Sequence, residues 1–156
     1  MRSKTEENKL LYKVLKEVGR GYETGDFSGL YPYLREDCVL TSHWVLTDLT
    51  GYDNIVYYFD GKGETLRRYD CLAHTTVVEL VGNTHLVPSN EIGINGATPQ
   101  SGWVGIYYKS GKYCLLMEQT INGEVIRILV DVKLDDEGMV KQINLCEPAM
   151  FRFQKL

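Results

Sequence analysis

The sequence has no basic surplus. Its 17 Lys and Arg residues stand against 21 Asp and Glu, giving a formal charge of −4 and a pI near 5.4. The cations are scattered along the chain, so no basic field is offered to a phosphate backbone and nucleic acid is not an expected partner. It also has no apolar run long enough to cross a bilayer. The opening Met1-Arg2-Ser3-Lys4-Thr5-Glu6-Glu7-Asn8 reaches acidic residues before anything resembling a signal peptide. The expectation is a soluble, cytoplasmic protein with no membrane partner. There is no Cys-x-x-Cys pair: Cys38, Cys71, Cys114 and Cys146 are far apart, each in or beside an apolar run. None of His43, His74 or His85 has a cysteine at zinc-ligand spacing, so the cysteines read as reduced core thiols, with no metal and no cofactor expected. Repeats and low-complexity tracts are missing too. With 156 residues and 44% hydrophobic content, residues 1–156 read as one domain with enough chain for a continuous core.

What is present begins with a helix signal. Ser3-Lys4-Thr5-Glu6 fits a capping box, and Leu11, Val14, Leu15, Val18 and Tyr22 follow at helical spacing as an apolar stripe. Gly19 and Gly21 leave two readings open, close packing or early fraying. Gly25 suits a left-handed C-cap, and Asp26 can cap a second, short helix that Pro32 shortens or breaks. A third helix is expected from Tyr52, with Ile55, Val56 and Phe59 in register, ended or bent by Gly61-Lys62-Gly63 before Leu66.

Strands follow. Residues Cys38 to Thr47 alternate, with Cys38, Leu40, Ser42, Trp44 and Leu46 expected inward and His43 outward, toward an interface or solvent. A second strand is expected over Cys71 to Val81, where Leu72, His74, Thr76, Val78 and Leu80 form the more apolar face. Val87 to Gly102 reads as a long loop, followed by strands over Trp103 to Lys109, Tyr113 to Ile121, Val125 to Leu134 and Met139 to Glu147. Asn122-Gly123 is the strongest hairpin signal, since both residues tolerate the positive φ of a type I′ turn. Three helical segments and a run of antiparallel strands predict an α+β domain with helices on one face of a bent sheet.

The stretch Gly25-Asp26-Phe27 through Trp44-Val45, followed by Thr50-Gly51-Tyr52-Asp53, resembles the nuclear transport factor 2-like superfamily. The segment Thr65-Leu66-Arg67-Arg68-Tyr69-Asp70-Cys71-Leu72-Ala73-His74 is similar to its SnoaL-like and scytalone dehydratase-like branch. The resemblance implies a cystatin-like cone: three N-terminal helices packed on a curved antiparallel sheet around a central pocket. It makes His74 a candidate acid/base on a pocket wall, against the plainer reading of a satisfied core histidine. Glu147, in phase with Ile143 and Leu145, is its candidate partner or a base, against the reading of a rim carboxylate. Tyr22, Ser42, Trp44, Tyr58 and Met117 are the expected ligand-binding walls and handles.

Departures from the enzymes of the superfamily are also visible. Ser42 stands where steroid isomerase-like members carry a base carboxylate, Asp131 falls off the apolar face of its strand, Val18 replaces a first-helix tyrosine, and Gly19-Arg20 replaces a dehydratase Tyr-Asp pair. The leading expectation is a small-molecule pocket protein with a small apolar ligand, acting as a cofactor-independent lyase, cyclase or isomerase. The alternative is a noncatalytic ligand-binding or interaction module. A homodimer is expected through the outer sheet face, at Tyr108, Glu118, Thr120, Arg127, Leu129 and Asp131. The Val87 to Gly102 loop, with Ile92, Ile94 and Trp103, is expected as a pocket lid or an exchanged loop, against the alternative of a surface excursion.

Overall fold

The computed structural model describes residues 2–44, 47–82, 84–85, 107–108 and 110–156. The loop expected over Val87 to Gly102, with Ile92, Ile94 and Trp103, lies outside the described residues, as does most of the strand expected over Trp103 to Lys109.

Helix α1 runs Lys4–Thr24 and starts where the capping box places it. Ser3 Oγ accepts the Glu6 N–H at 3.2 Å, and the Glu6 carboxylate accepts the Ser3 N–H at 3.3 Å. Leu11, Val14, Leu15, Val18 and Tyr22 are all buried. Gly25 closes the helix at φ 81°, donating to the Gly21 carbonyl at 2.7 Å. Gly19 and Gly21 serve close packing. A Cβ on Gly21 would fall 1.9 Å from the Phe27 ring, and one on Gly19 would fall 2.7 Å from Thr75 Oγ1.

The described residues form two α-helices where three helices were expected. After Gly25 the chain makes turns and a three-residue 3₁₀ helix, Tyr31–Tyr33, with Pro32 in its first turn. Proline lacks the N–H that a longer helix would need, and Leu34 is already extended. Helix α2, Tyr52–Arg68, continues through Gly61-Lys62-Gly63 instead of ending there. The reason is packing against the cap of α1: a Cβ on Gly63 would lie 2.1 Å from the Gly25 carbonyl oxygen, which also accepts a hydrogen bond from Arg67.

The strands are β1 Leu34–Ser42, β2 Leu49–Thr50, β3 His74–Leu80, β4 Thr84–His85, β5 Tyr107–Tyr108, β6 Tyr113–Ile121, β7 Glu124–Leu134, β8 Val140–Cys146 and β9 Phe153–Lys155. Seven of them form one sheet in the order β2-β1-β8-β7-β6-β3-β9, while β4 and β5 pair separately. The sheet is mixed, not purely antiparallel, because β1 runs parallel to β8. The β6–β7 turn has Asn122 at φ 52° and Gly123 at φ 81°, as the Asn-Gly pair predicted. Register shifts in β1 and at Lys133/Leu134 bend the strands.

Both sheet faces carry apolar clusters. One packs Leu40, Val77, Leu115, Met117, Val130, Val132, Ile143 and Leu145 under the two helices. The other gathers Val78, Leu80, Cys114, Leu116, Leu129, Cys146 and Phe151 on the side away from them. Each fully buried Leu or Val contributes about 1.5–3 kcal/mol. Cys38, Cys114 and Cys146 are buried and Cys71 is half-buried. Leu129 and Asp131 are 0% exposed within a single chain, so two of the residues expected at an outer-face dimer interface are already covered. Among the described residues, no helix is long and apolar enough to cross a membrane.

Candidate functional site

A cleft of about 610 Å³ opens at one end of the sheet, between the end of β1, the start of β7 and the end of β8. Its walls are Trp44, Val125, Ile126, Arg127, Ile128 and Glu147. The sequence places them there by strand phase. Ile126 and Ile128 alternate with the buried Val130 and Val132 on the helix-facing side of β7, but they lie where that strand runs past the helices. Trp44, Val125 and Ile126 are 42%, 59% and 39% exposed, an unusual cost for large apolar side chains grouped in one place. Ile121 is also exposed at the nearby β6–β7 hairpin.

Among the described residues, two charged groups line the cleft. Arg127 is engaged by Glu118 across the sheet, Nε to Oε2 at 3.0 Å. Glu147 follows β8, where its side chain caps a 3₁₀ helix, Pro148–Met150, by accepting the Ala149 N–H at 3.5 Å. No cation within ion-pair distance partners Glu147 among the described residues, so the cleft presents its carboxylate beside an Arg127 guanidinium already paired with Glu118.

Behind this wall stands His43, which sequence reasoning assigned to solvent or an interface. It is 2% exposed, in the turn that follows β1, and its ring lies 6.0 Å from the Trp44 indole between centroids. The Glu147 N–H donates to His43 Nδ1 at 2.8 Å. That nitrogen therefore carries no proton, and the neutral ring holds its proton on Nε2. Burial drives the imidazole down to about 3. His43 thus ties the strand end that bears Trp44 to the segment that bears Glu147. The signal available in the sequence was its phase with Thr41, which is also buried, on a face that appeared polar.

The other sequence candidates separate. His74 is exposed, and it shares a face with Val78 and Leu80, on the side of the sheet away from the helices. It is paired in register with Glu118, not with a cavity wall, which corrects its expected inward position. The misreading arose because Val77 and Val78 are both buried, one on each face. Ser42 spends its hydroxyl on the Trp44 N–H at 3.2 Å, a turn contact that orients the indole. Met117 is fully buried beside Ile128 in the β6–β7 register. Tyr58 is half-buried, edge-on to Phe59 at 5.1 Å, and burial raises its phenol. Tyr22 is fully buried under α2, and its hydroxyl has no hydrogen-bond partner among the described residues. Desolvation and the neighbouring Tyr58 hold its phenol well above the ordinary range. Trp44 and Glu147 are therefore the two predicted residues that one cleft brings together. Among the described residues, no three His, Cys, Asp or Glu side chains converge as a metal site.

No protein-family model and no curated protein sequence matches the chain. Solved structures do. An NTF2-like protein from Anabaena variabilis is similar with a TM-score of 0.57 at 11% identity, covering 96% of this chain and 97% of its own. A bacterial protein with a cystatin-like fold from Silicibacter pomeroyi is similar with a TM-score of 0.54 at 12% identity, covering 92% and 77%. A de novo designed protein with a curved β-sheet is similar with a TM-score of 0.52 at 16% identity, covering 95% and 90%. The chain thus has the cystatin-like, NTF2-like fold. That a designed sheet shares the shape underlines that the fold alone specifies no activity.

Proposed function

We propose that this chain is a small-molecule binding protein whose ligand sits in the Trp44 cleft, with an apolar body against Trp44, Ile126 and Ile128 and a cationic or hydrogen-donating group toward Glu147. The observation that supports this most is the gathering of exposed apolar side chains around a carboxylate that has no ion-pair partner among the described residues, the neighbouring Arg127 being engaged by Glu118. An indole beside a carboxylate suits an aromatic or aliphatic ammonium, which gains from both the ring face and the charge. The cleft volume lies in the range of small-molecule sites. Binding without turnover is the favoured reading. His74, the acid/base that the sequence suggested, is exposed on the side of the sheet away from the helices and does not line this cleft. His43 is buried, neutral and already hydrogen-bonded at Nδ1, and among the described residues the other charged group lining the cleft with Glu147 is Arg127, which pairs with Glu118.

Two compounds of one shape and opposite charge test the reading: naphthylmethylamine and naphthoate, titrated by calorimetry. The amine should bind about tenfold more tightly, as expected for one charge-assisted contact. Glu147→Gln should erase the preference while leaving ring binding, and Trp44→Ala should weaken both compounds. Equal affinity of the two, or no response to Trp44→Ala, would remove the cleft as the ligand site.

A further inference from the structure

A second cleft, of about 530 Å³, lies at the opposite end of the sheet, where the start of α1 meets the start of β6, the end of β7 and the start of β8. On β7 the first cleft uses residues 125–128 and this one uses Lys133 and Leu134, so they stand about 20 Å apart at roughly 3.3 Å per residue. Among the described residues, its walls carry Arg2, Lys4, Lys112, Lys133 and Lys141 against a single carboxylate, Glu7. In a chain of formal charge −4 this is a strong local inversion, and none of it is apparent in a sequence whose cations are scattered.

The contacts show how that concentration is held. Arg2 pairs with Glu7 at 2.7 Å and donates to the Asp135 and Asp136 carbonyls at 2.6 and 3.0 Å, which neutralises the carboxylate and fixes the guanidinium on the rim. Lys4 Nζ donates to the Ser110 carbonyl at 2.6 Å, a contact that orders the ammonium without cancelling its charge. Lys112 pairs with Asp131, which is fully buried and whose other oxygen accepts Asn144 Nδ2 at 2.8 Å. Asn144 in turn takes Gln142 at 2.9 Å and the Thr41 hydroxyl, so the carboxylate beneath the cleft is enclosed in a buried polar network. Lys133 is partly buried within the same group. Burial lowers its ammonium from the ordinary range, Asp131 offsets part of that, and the like charges of Lys112 and Lys141 lower it further. Cations crowded this way gain when an anion enters between them. The capping box already occupies the Glu6 N–H, so recognition falls to the side chains and not to the end of the helix.

We propose that this cleft binds a small organic phosphomonoester, its phosphate held among Lys4, Lys133 and Lys141 and its organic part lying along Leu134 and the lysine stems. The volume is larger than a bare phosphate fills, which selects an ester over the free ion. Lysine ammonium groups suit a phosphate as point charges on flexible stems that can converge on it. The site is separate from the Trp44 cleft and stands or falls independently of it.

The test is a calorimetric titration with ribose phosphate, with inorganic phosphate, ribose and an acidic decapeptide compared at matched ionic strength. The expected result is saturable binding of ribose phosphate, weaker binding of inorganic phosphate, none of ribose, and no tight binding of the peptide. The double variant Lys133→Gln/Lys141→Gln should bind at least about tenfold less tightly, the scale of losing a charge-assisted contact. Lys62→Gln, on helix α2, should bind unchanged. If loss of Lys133 prevents folding, the exposed Lys141→Gln alone should still weaken binding several-fold. The proposal is overturned if ribose phosphate fails to saturate at millimolar concentration, if the lysine variants bind as the parent does, or if the acidic peptide binds more tightly, which would assign the cleft to a protein partner.

Discussion

Acidification from about pH 7 to about pH 5 should cost the fold about 2 kcal/mol through His43 alone. In the unfolded chain this imidazole titrates near its ordinary 6.5, while burial takes the folded value to about 3. Below the unfolded value the unfolded chain binds a proton that the folded chain refuses. The stabilisation is therefore fully present above 6.5 and is lost as pH falls toward the folded value, at about 1.4 kcal/mol per pH unit. Structure gives the same sign. A proton on Nδ1 would confront the Glu147 N–H, 2.8 Å away, with a second donor, and the contact joining β1 to the Glu147 segment would open. The assay is urea unfolding at both pH values for the parent and for His43→Gln, whose amide oxygen can still accept. Carboxylates titrate in both proteins and cancel in the difference. The parent should lose about 2 kcal/mol more than the variant over this interval. Parallel losses in the two proteins would refute the reasoning and mean that His43 is solvated or already charged in the fold.

Three further perturbations are expected to read out as stability. Tyr22→Phe removes a buried hydroxyl that has no partner among the described residues, and should stabilise by about 1 kcal/mol in thermal melts; a loss would show that the hydroxyl is satisfied by an ordered water. Gly63→Ala sets a Cβ against the Gly25 carbonyl oxygen, and should destabilise by about 2 kcal/mol despite the better helix propensity of alanine, measured by urea unfolding. Asp131→Ala strands Lys112 and Asn144 beneath the cationic cleft, and should cost about 3 kcal/mol by the same measurement, with Asp131→Asn costing less because an acceptor for Asn144 remains.

Much of the fold was written locally. Ser3 and Glu6 cap α1, Gly25 ends it, Asn122-Gly123 turns β6 into β7, and each signal depends only on residues close in sequence. The misreadings arose where partners are distant. The parallel pairing of β1 with β8 joins residues more than a hundred positions apart, and the C-terminal segment brings Phe151, with Phe153 beside it, onto a face that the sequence left open. That covering makes Val78 and Leu80 as buried as Val77, so alternation could not say which side of β3 meets the helices, and His74 was placed on the wrong one. His43 was missed for the complementary reason. Its face looks polar in sequence because Thr41, Asp131 and Asn144 are on it, and only their mutual hydrogen bonds allow that face to be buried. Trp44 and Glu147 were found because each ends a strand whose phase was clear. The cationic cleft, assembled from four stretches of chain, left no sequence signal at all.

Whether small molecules bind at the Trp44 cleft is tested most directly by amide-detected NMR of the labelled protein, titrated with naphthylmethylamine. Saturable shifts are predicted at Trp44, Ile126, Ile128 and Glu147, with the Tyr22, Tyr58 and Met117 amides still. Shifts centred on Tyr22, Tyr58 and Met117 would contradict this and place the ligand between the helices and the sheet, and shifts that never saturate would mean that the cleft is not a binding site.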